Sequence, residues 1–217
     1  EIRGVGIGKT SFKRRINSGL AVGFSFLKTA YENSNFIFHQ IDIANTYTND
    51  IVLQHERSIY TDVIKVIDIE SNELIDFSTT MHSSKDSYAI SKRDRPLAYI
   101  IKKNNYGFIE KLNDVGVNYV ELEKDTMIYS GGYKVVEFNN KFKVYEKMKM
   151  QKVVTSIEYS NYKFSKGDIL ISMNQKRSNL IAELLEPEAP NSYVSFGIIK
   201  TSLNNQLPIY RIKNFNN

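Results

Sequence analysis

The feature that most constrains the fold is a change of periodicity near residue 50. Before it, Leu20, Phe24 and Leu27 lie three to four residues apart, which predicts a largely buried helix over residues 16–31. A second helix is predicted over residues 36–47. After residue 50 the apolar residues alternate with polar ones, as in half-buried strands. The sequence therefore predicts an α+β (mixed α/β) protein with one part at 1–50 and another at 51–217.

The second part is predicted to be rich in strands. A hairpin of strands at 62–69 and 74–81 is expected first. The segment of strand, helix and strand from Leu97 to Leu122 then predicts one β-α-β crossover, which usually joins two parallel strands of one sheet. Pro187 ends a late helix. The remaining predicted elements are strands at 126–138, 150–164 and 166–173, the late helix from residue 174, and a closing strand at 192–199.

Composition and charge argue against several kinds of function. The 29 Lys and Arg against 24 Asp and Glu give a net charge of +5, but the excess is spread along the chain, with its densest clusters at 9–15 and 141–152. A solvated basic face is favoured over nucleic-acid binding. Since the chain has no Cys, disulfides, thiolate zinc sites and cysteine nucleophiles are excluded. No apolar run reaches the ~18 residues of a membrane span.

The residues that carry chemistry do not form a complete active site in the sequence. His39, His55 and His82 are scattered, and none lies in a spacing that would place two metal ligands on one face. Glu186 and Glu188 are paired carboxylates that flank a helix end, where charge and solvation explain them without catalysis.

The glycine-rich stretch "RGVGIGKTS" does not meet the requirements of a phosphate loop. Only three residues separate Gly4 from Gly8, whereas a Walker loop needs four and a preceding buried strand. A dinucleotide fingerprint fails as well, because the spacing is GxGxG and not GxGxxG.

The opening "EIRGVG", followed by "KTSFKRR" and an apolar helix, resembles the last motif of the zinc metallocarboxypeptidases, the carboxypeptidase A-like peptidases. The resemblance is to bacterial members, and it implies that Glu1 is the catalytic base that activates a zinc-bound water. It further implies that Arg3 binds substrate. "RPLAYII" and the "LLEP" region up to residue 199 resemble the appended C-terminal module of larger members.

The family's zinc ligands precede its catalytic glutamate, and this sequence contains none of them. The resemblance thus implies a C-terminal fragment: residues 1–50 end a catalytic domain, and residues 51–217 form an accessory domain. Zinc and a peptide or peptide-like substrate belong to the parent protein, which is implied to be secreted or periplasmic. The fragment alone is expected to be inactive and to pack on the missing N-terminal catalytic part.

Two further expectations concern partners. An alternative function is a non-catalytic binding or scaffolding module for a polymer or protein, suggested by the tyrosines of 129–145 and 159–162, although alternation along half-buried strands explains them as well. Homo-oligomerisation through the apolar helices is expected to involve Leu20, Phe24 and Phe26.

Overall fold

A computed structural model describes residues 6–45, 49–103 and 106–214 and divides the chain into two units, Glu1–Tyr47 and Thr48–Asn217. The first unit is helical, and the second combines strands and helices, so the mixed α+β class is confirmed with strands as the dominant element. The assignment of the units to a catalytic and an accessory domain stays a prediction.

The two helices of the first unit are α1 (Lys9–Glu32) and α2 (Ser34–Asn45), separated by Asn33. Both were predicted, but the expectation that the first is largely buried is wrong. Leu20 is 57% exposed and Phe24 is 63% exposed. The physical reason is that the described part of this unit contains two helices and no sheet, which leaves nothing to cover the apolar face of α1.

The second unit holds a two-stranded ribbon and a six-stranded sheet in which every pairing of neighbours is antiparallel. The elements of this unit are β1 (Ile51–Ile67), β2 (Leu74–Arg93), β3 (Ala98–Ile101), α3 (Tyr106–Asp114), β4 (Val120–Glu121), β5 (Thr126–Tyr145), β6 (Met148–Phe164), β7 (Ile169–Ser172), α4 (Ser178–Leu185) and β8 (Gln206–Ile212). The sheet has the order β4-β7-β3-β8-β5-β6, and β1 and β2 form the ribbon.

The predicted β-α-β unit is present as β3, α3 and β4. Both strands pair antiparallel with β7, so they run in the same direction as expected, but β7 lies between them. The helix ends as predicted at Gly116, whose N–H donates to the carbonyl of Asn113 at 2.8 Å. The crossover is therefore split, because a later strand enters the gap between its two strands.

The main core lies between the sheet and the two helices α3 and α4. Phe108 and Leu112 of α3 and Ile181 and Leu185 of α4 are almost completely buried, in one cluster with Tyr99 of β3. Alternate residues of the same strands, such as Ile100, belong to a smaller cluster. This alternation follows from the period of two along a strand, which sends neighbouring side chains to opposite faces.

The ribbon is anchored in the core at one end only. Ile51 and Leu53 at the start of β1 are buried, whereas Ile59, Val63 and Ile67 farther along are more than half exposed. Register shifts occur between Val52 and Ser58, close to the anchored end. Because β1 has 17 residues at roughly 3.3 Å each, the ribbon is about 55 Å long. The hairpin prediction is confirmed, and its strands are longer than predicted.

The prediction of a closing strand at 192–199 is wrong. This segment forms successive turns, in which the N–H of Ser195 bonds to the hydroxyl of Ser192 at 3.0 Å and the N–H of Ile199 bonds to the carbonyl of Tyr193 at 2.9 Å. Serine side chains favour such turns because they offer the backbone a local acceptor. The last strand of the sheet is β8, which lies between β3 and β5.

Candidate functional site

The residues predicted to act in catalysis and substrate binding, Glu1 and Arg3, lie outside the described residues, so their roles stay predictions. The described part of their motif begins at Gly6. Gly6 and Gly8 have φ angles of 72° and 123°, a region that residues with a side chain rarely adopt. The chain enters α1 directly afterwards, where the N–H of Phe12 donates to the carbonyl of Gly8 at 3.0 Å. The glycines thus form a tight turn into the helix.

The three histidines lie on different elements: His39 on α2, His55 on β1 and His82 on β2. Within residues 6–45, 49–103 and 106–214, no group of three or more His, Asp or Glu side chains is arranged to hold a metal ion. The described residues therefore do not fit a zinc site.

A buried charged cluster joins residues that are far apart in the sequence: Arg93, Glu186, Glu188 and Arg211. Arg93, the last residue of β2, donates from Nη1 to Glu186 Oε2 at 2.5 Å and to Glu188 Oε2 at 2.9 Å. The side chains of Glu186 and Arg211 are fully buried, and Arg211 Nη2 lies 3.9 Å from Glu186 Oε1. Arg211 Nη1 also lies 3.4 Å from Asp94 Oδ1, so the two arginines face three carboxylates within the second unit.

Neutral donors complete the coordination of the two carboxylates. The hydroxyl of Tyr99 donates to Glu186 Oε1 at 2.5 Å. Thr155 of β6 donates to Glu188 Oε1 from both its N–H, at 2.8 Å, and its hydroxyl, at 2.5 Å. Each oxygen of both carboxylates therefore has a donor, as buried charges require. This arrangement links the end of β2 and the end of α4 to β3 and β6.

The expectation that solvation explains Glu186 and Glu188 is wrong. Their short spacing across Pro187, at the end of α4, places both carboxylates toward Arg93, which is 93 residues away from Glu186 in the sequence. The sequence signal was weak, since an Arg at the end of a strand usually faces water. Only the tertiary arrangement of ribbon and helix shows that these charges are partners.

Burial and the charges of the cluster shift the pKa values of Arg93 and of the neighbouring Tyr99 and Tyr133. Burial raises the pKa of the Tyr99 hydroxyl well above its ordinary value, and the charge of Glu186 adds to this. Burial also raises the pKa of Tyr133, whose ring lies 5.4 Å from the guanidinium carbon of Arg93. For Arg93, burial acts to lower the pKa, but the hydrogen bond to Glu188 and the charge of Glu186 outweigh it and raise the pKa. Both arginines therefore stay charged and both tyrosines stay neutral at physiological pH.

A cleft of about 280 Å³ adjoins the cluster at the anchored end of the ribbon. Residues from β1, β2, β5 and β6 and from the segment after α4 line it, and Glu188 is common to the cleft and the cluster. Its wall contains Ile90, Phe142 and Met150. The sequence did not predict this cleft, because its lining residues are separated by up to about 140 positions and show no local motif.

The tyrosines that suggested a binding module are partly engaged by neighbouring side chains. Tyr129 and Tyr159 stack with their ring centroids 6.0 Å apart, and Tyr162 lies 4.8 Å from Tyr210. Tyr129 and Tyr145 are nevertheless about half exposed. Packing within the sheet therefore accounts for part of this aromatic surface.

Comparison with known proteins relates the chain to carboxypeptidases. It is 30% identical over 222 residues to "Carboxypeptidase 2" of Trichophyton equinum and 29% identical over 222 residues to the protein of the same name of Trichophyton rubrum. Each alignment covers 98% of this chain and 40% of the relative. A "Probable carboxypeptidase 2" of Arthroderma benhamiae is 28% identical over 195 residues, 86% of this chain and 36% of that protein.

The chain spans about two fifths of the length of these relatives. The relatives are fungal, and their names do not specify a metal. No family model and no solved structure matches the chain. In the part of the chain that the structure describes, no helix has both the length and the apolar character needed to cross a bilayer.

Proposed function

We propose that this chain is the C-terminal part of a zinc-dependent carboxypeptidase-like peptidase and that it is inactive on its own. The observation that carries the proposal is the similarity to proteins named carboxypeptidase 2, which extends over 98% of the chain at 30% identity. Since the chain spans 40% of that relative, the proposal assigns the zinc ligands to the part of the parent that this chain does not include.

In this proposal Glu1 is the catalytic base of the parent. A carboxylate next to the scissile peptide bond takes a proton from the attacking water and passes it to the leaving amine. Arg3 is proposed to bind the substrate, because a guanidinium can hold a carboxylate through two parallel hydrogen bonds. The tight turn at Gly6 and Gly8 supports this arrangement, since it brings the chain from the proposed site directly into α1.

The exposed face of α1 supports the assignment of residues 1–50 to a larger domain. Phe12, Ile16, Leu20, Phe24 and Leu27 are each more than half exposed, and they follow one another at intervals of three or four residues. Such a stripe lies on one side of a helix and is normally buried. In the proposal, the rest of the catalytic domain covers it. The first turn of α1 contains no acidic residue and has no side-chain cap, so packing is the main source of stability left to this helix.

The decisive experiment measures release of the C-terminal residue from a peptide by the full-length protein that carries this chain. Glu1→Gln is expected to lower kcat by about 10²- to 10⁴-fold, the usual contribution of an acid–base residue. Glu32→Gln is the matched control, because Glu32 is an exposed glutamate at the end of α1 whose ion pair with Lys28 is 3.8 Å long. Arg3→Gln is expected to raise KM more than it lowers kcat. A Glu1→Gln enzyme with unchanged kcat would refute the proposed role.

A further inference from the structure

The cleft at the anchored end of the ribbon has an apolar wall and a charged rim. Ile90, Phe142 and Pro190 line the cleft and are exposed, whereas Met150 lines it and is buried. A concave apolar surface with a few convergent polar groups is the usual form of a small-molecule site. The volume of about 280 Å³ suits a small ligand or one terminal residue, and not a folded partner.

The carboxylates in the cleft already have partners. Glu56 Oε2 accepts a hydrogen bond from the hydroxyl of Tyr88 at 3.1 Å. Glu188 is held by Thr155 and by Arg93, at 2.9 Å from the guanidinium. Neither acid is therefore available as the main partner of a cationic ligand.

Within the described part of the chain, the two lysines of the cleft are not paired with a carboxylate. Lys143 and Lys152 each place their ammonium group 5.6 Å from the centroid of the Phe142 ring, so two positive charges flank one aromatic surface. Among the ion pairs that join residues of the described ranges, none includes either lysine. The five lysines between Lys141 and Lys152 are accompanied by one acid, Glu146. The charged groups of the cleft that lack an ion-pair partner among the described residues are thus positive.

From this arrangement we infer that the cleft binds a small carboxylate that carries an apolar group, as in an N-acylated aromatic amino acid or the last residue of a peptide. The carboxylate meets the ammonium groups of Lys143 and Lys152. The apolar group packs on Phe142 and Ile90. This site lies in the second unit, and the inference does not depend on the proposed peptidase activity.

The test is a titration of the 217-residue chain with N-acetyl-phenylalanine, followed by calorimetry or NMR. The same compound as an amide lacks the negative charge, and acetate lacks the apolar group. The amide is expected to bind about tenfold more weakly than the free acid, since two exposed ion pairs together contribute roughly that factor. Acetate is expected to bind at least about tenfold more weakly as well, because it buries no apolar group on Phe142 and Ile90. The affinity for the acid is also expected to fall as salt is added, because both lysines are exposed.

Charge variants locate the site. Lys143→Gln combined with Lys152→Gln is expected to lower the affinity for N-acetyl-phenylalanine about tenfold. The matched control is Lys85→Gln combined with Lys111→Gln, which removes two charges from exposed positions outside the cleft. Equal binding of acid and amide, an equal loss in the control variant, or no binding at millimolar concentrations would each overturn the inference.

A peptide that ends in phenylalanine separates the two sources of the carboxylate. If the peptide binds as well as N-acetyl-phenylalanine and loses affinity in the Lys143→Gln, Lys152→Gln variant, the site accepts peptide ends. If the acid binds and the peptide does not, the site accepts small free carboxylates alone. Both results support a carboxylate site, and they differ only in whether the carboxylate comes from a peptide end or from a small free acid.

Discussion

The buried charged cluster predicts a large loss of stability when the charge of Glu186 is removed. Glu186→Gln keeps the shape of the side chain and its ability to hydrogen-bond Tyr99, but it leaves Arg93 and Arg211 without their fully buried counter-ion. Breaking a buried pair from one side costs about 3–5 kcal/mol. We expect a value near the lower limit, because Arg93 retains Glu188 at 2.9 Å and Arg211 retains Asp94 at 3.4 Å. Since single domains are stable by about 5–15 kcal/mol, this loss is a large fraction of the total.

Urea denaturation followed by far-UV circular dichroism measures this loss directly. The matched control is Asp76→Asn in the pair of Lys65 and Asp76, whose length is 2.7 Å and whose side chains are 69% and 64% exposed. An exposed pair contributes less than about 1 kcal/mol. In a double-mutant cycle, Glu186→Gln and Arg93→Met should show a coupling energy well above that of the surface pair. A cost for Glu186→Gln no larger than the control would refute the reasoning.

Two other predictions follow from the same unit. The free energy of unfolding should fall as the pH rises above about 10, because the pKa of Tyr99 and Tyr133 is raised in the folded state, so the unfolded chain loses these protons first. The expected slope of the free energy of unfolding is about 1.4 kcal/mol per pH unit for each tyrosine. Urea titrations at several pH values should show a shallower decline for Tyr99→Phe than for the unchanged protein. An equal decline would show that the Tyr99 hydroxyl is not a cause of the loss of stability. Gly131→Ala should cost about 1–3 kcal/mol through overpacking, since its Cβ would lie 2.7 Å from Ile157 Cγ2 and 2.8 Å from the Tyr159 ring. Gly107→Ala, whose Cβ meets nothing within 4 Å, is the control, and equal midpoints in thermal melts would show that Gly131 is not constrained.

Local patterns predicted the elements whose apolar residues are regularly spaced. The helices α1 to α4 and the strands β1 to β7 each overlap a segment that periodicity or alternation predicted, because a local pattern determines which face can be buried, although α1, β1, β2 and β5 extend well beyond that segment. The segment 192–199 has the apolar content of a strand, and Tyr193, Val194 and Ile199 are indeed buried. Its serines nevertheless favour turns, and alternation alone did not reveal this.

Features that depend on contacts between distant segments could not be predicted from local patterns. Pro208 argues against a central strand, and β8 was missed. The structure accommodates this proline because the pairing of β8 with β3 runs from Ile209 to Ile212 and so begins after it. The position of β7 between β3 and β4, the burial of Glu186 and the cleft all depend on contacts between distant segments. The proposed catalytic residue Glu1 came from a family resemblance, and no pattern within these 217 residues would have identified it.

Peptidase activity of the full-length protein before and after metal removal tests the proposed function. We expect that amino acids are released singly from the C-terminus of a peptide, that a zinc chelator stops the release, and that added zinc restores it. We expect no release by the 217-residue chain alone. The proposed function would be contradicted if the zinc-loaded full-length protein released no C-terminal residue, or if the 217-residue chain released it at the same rate.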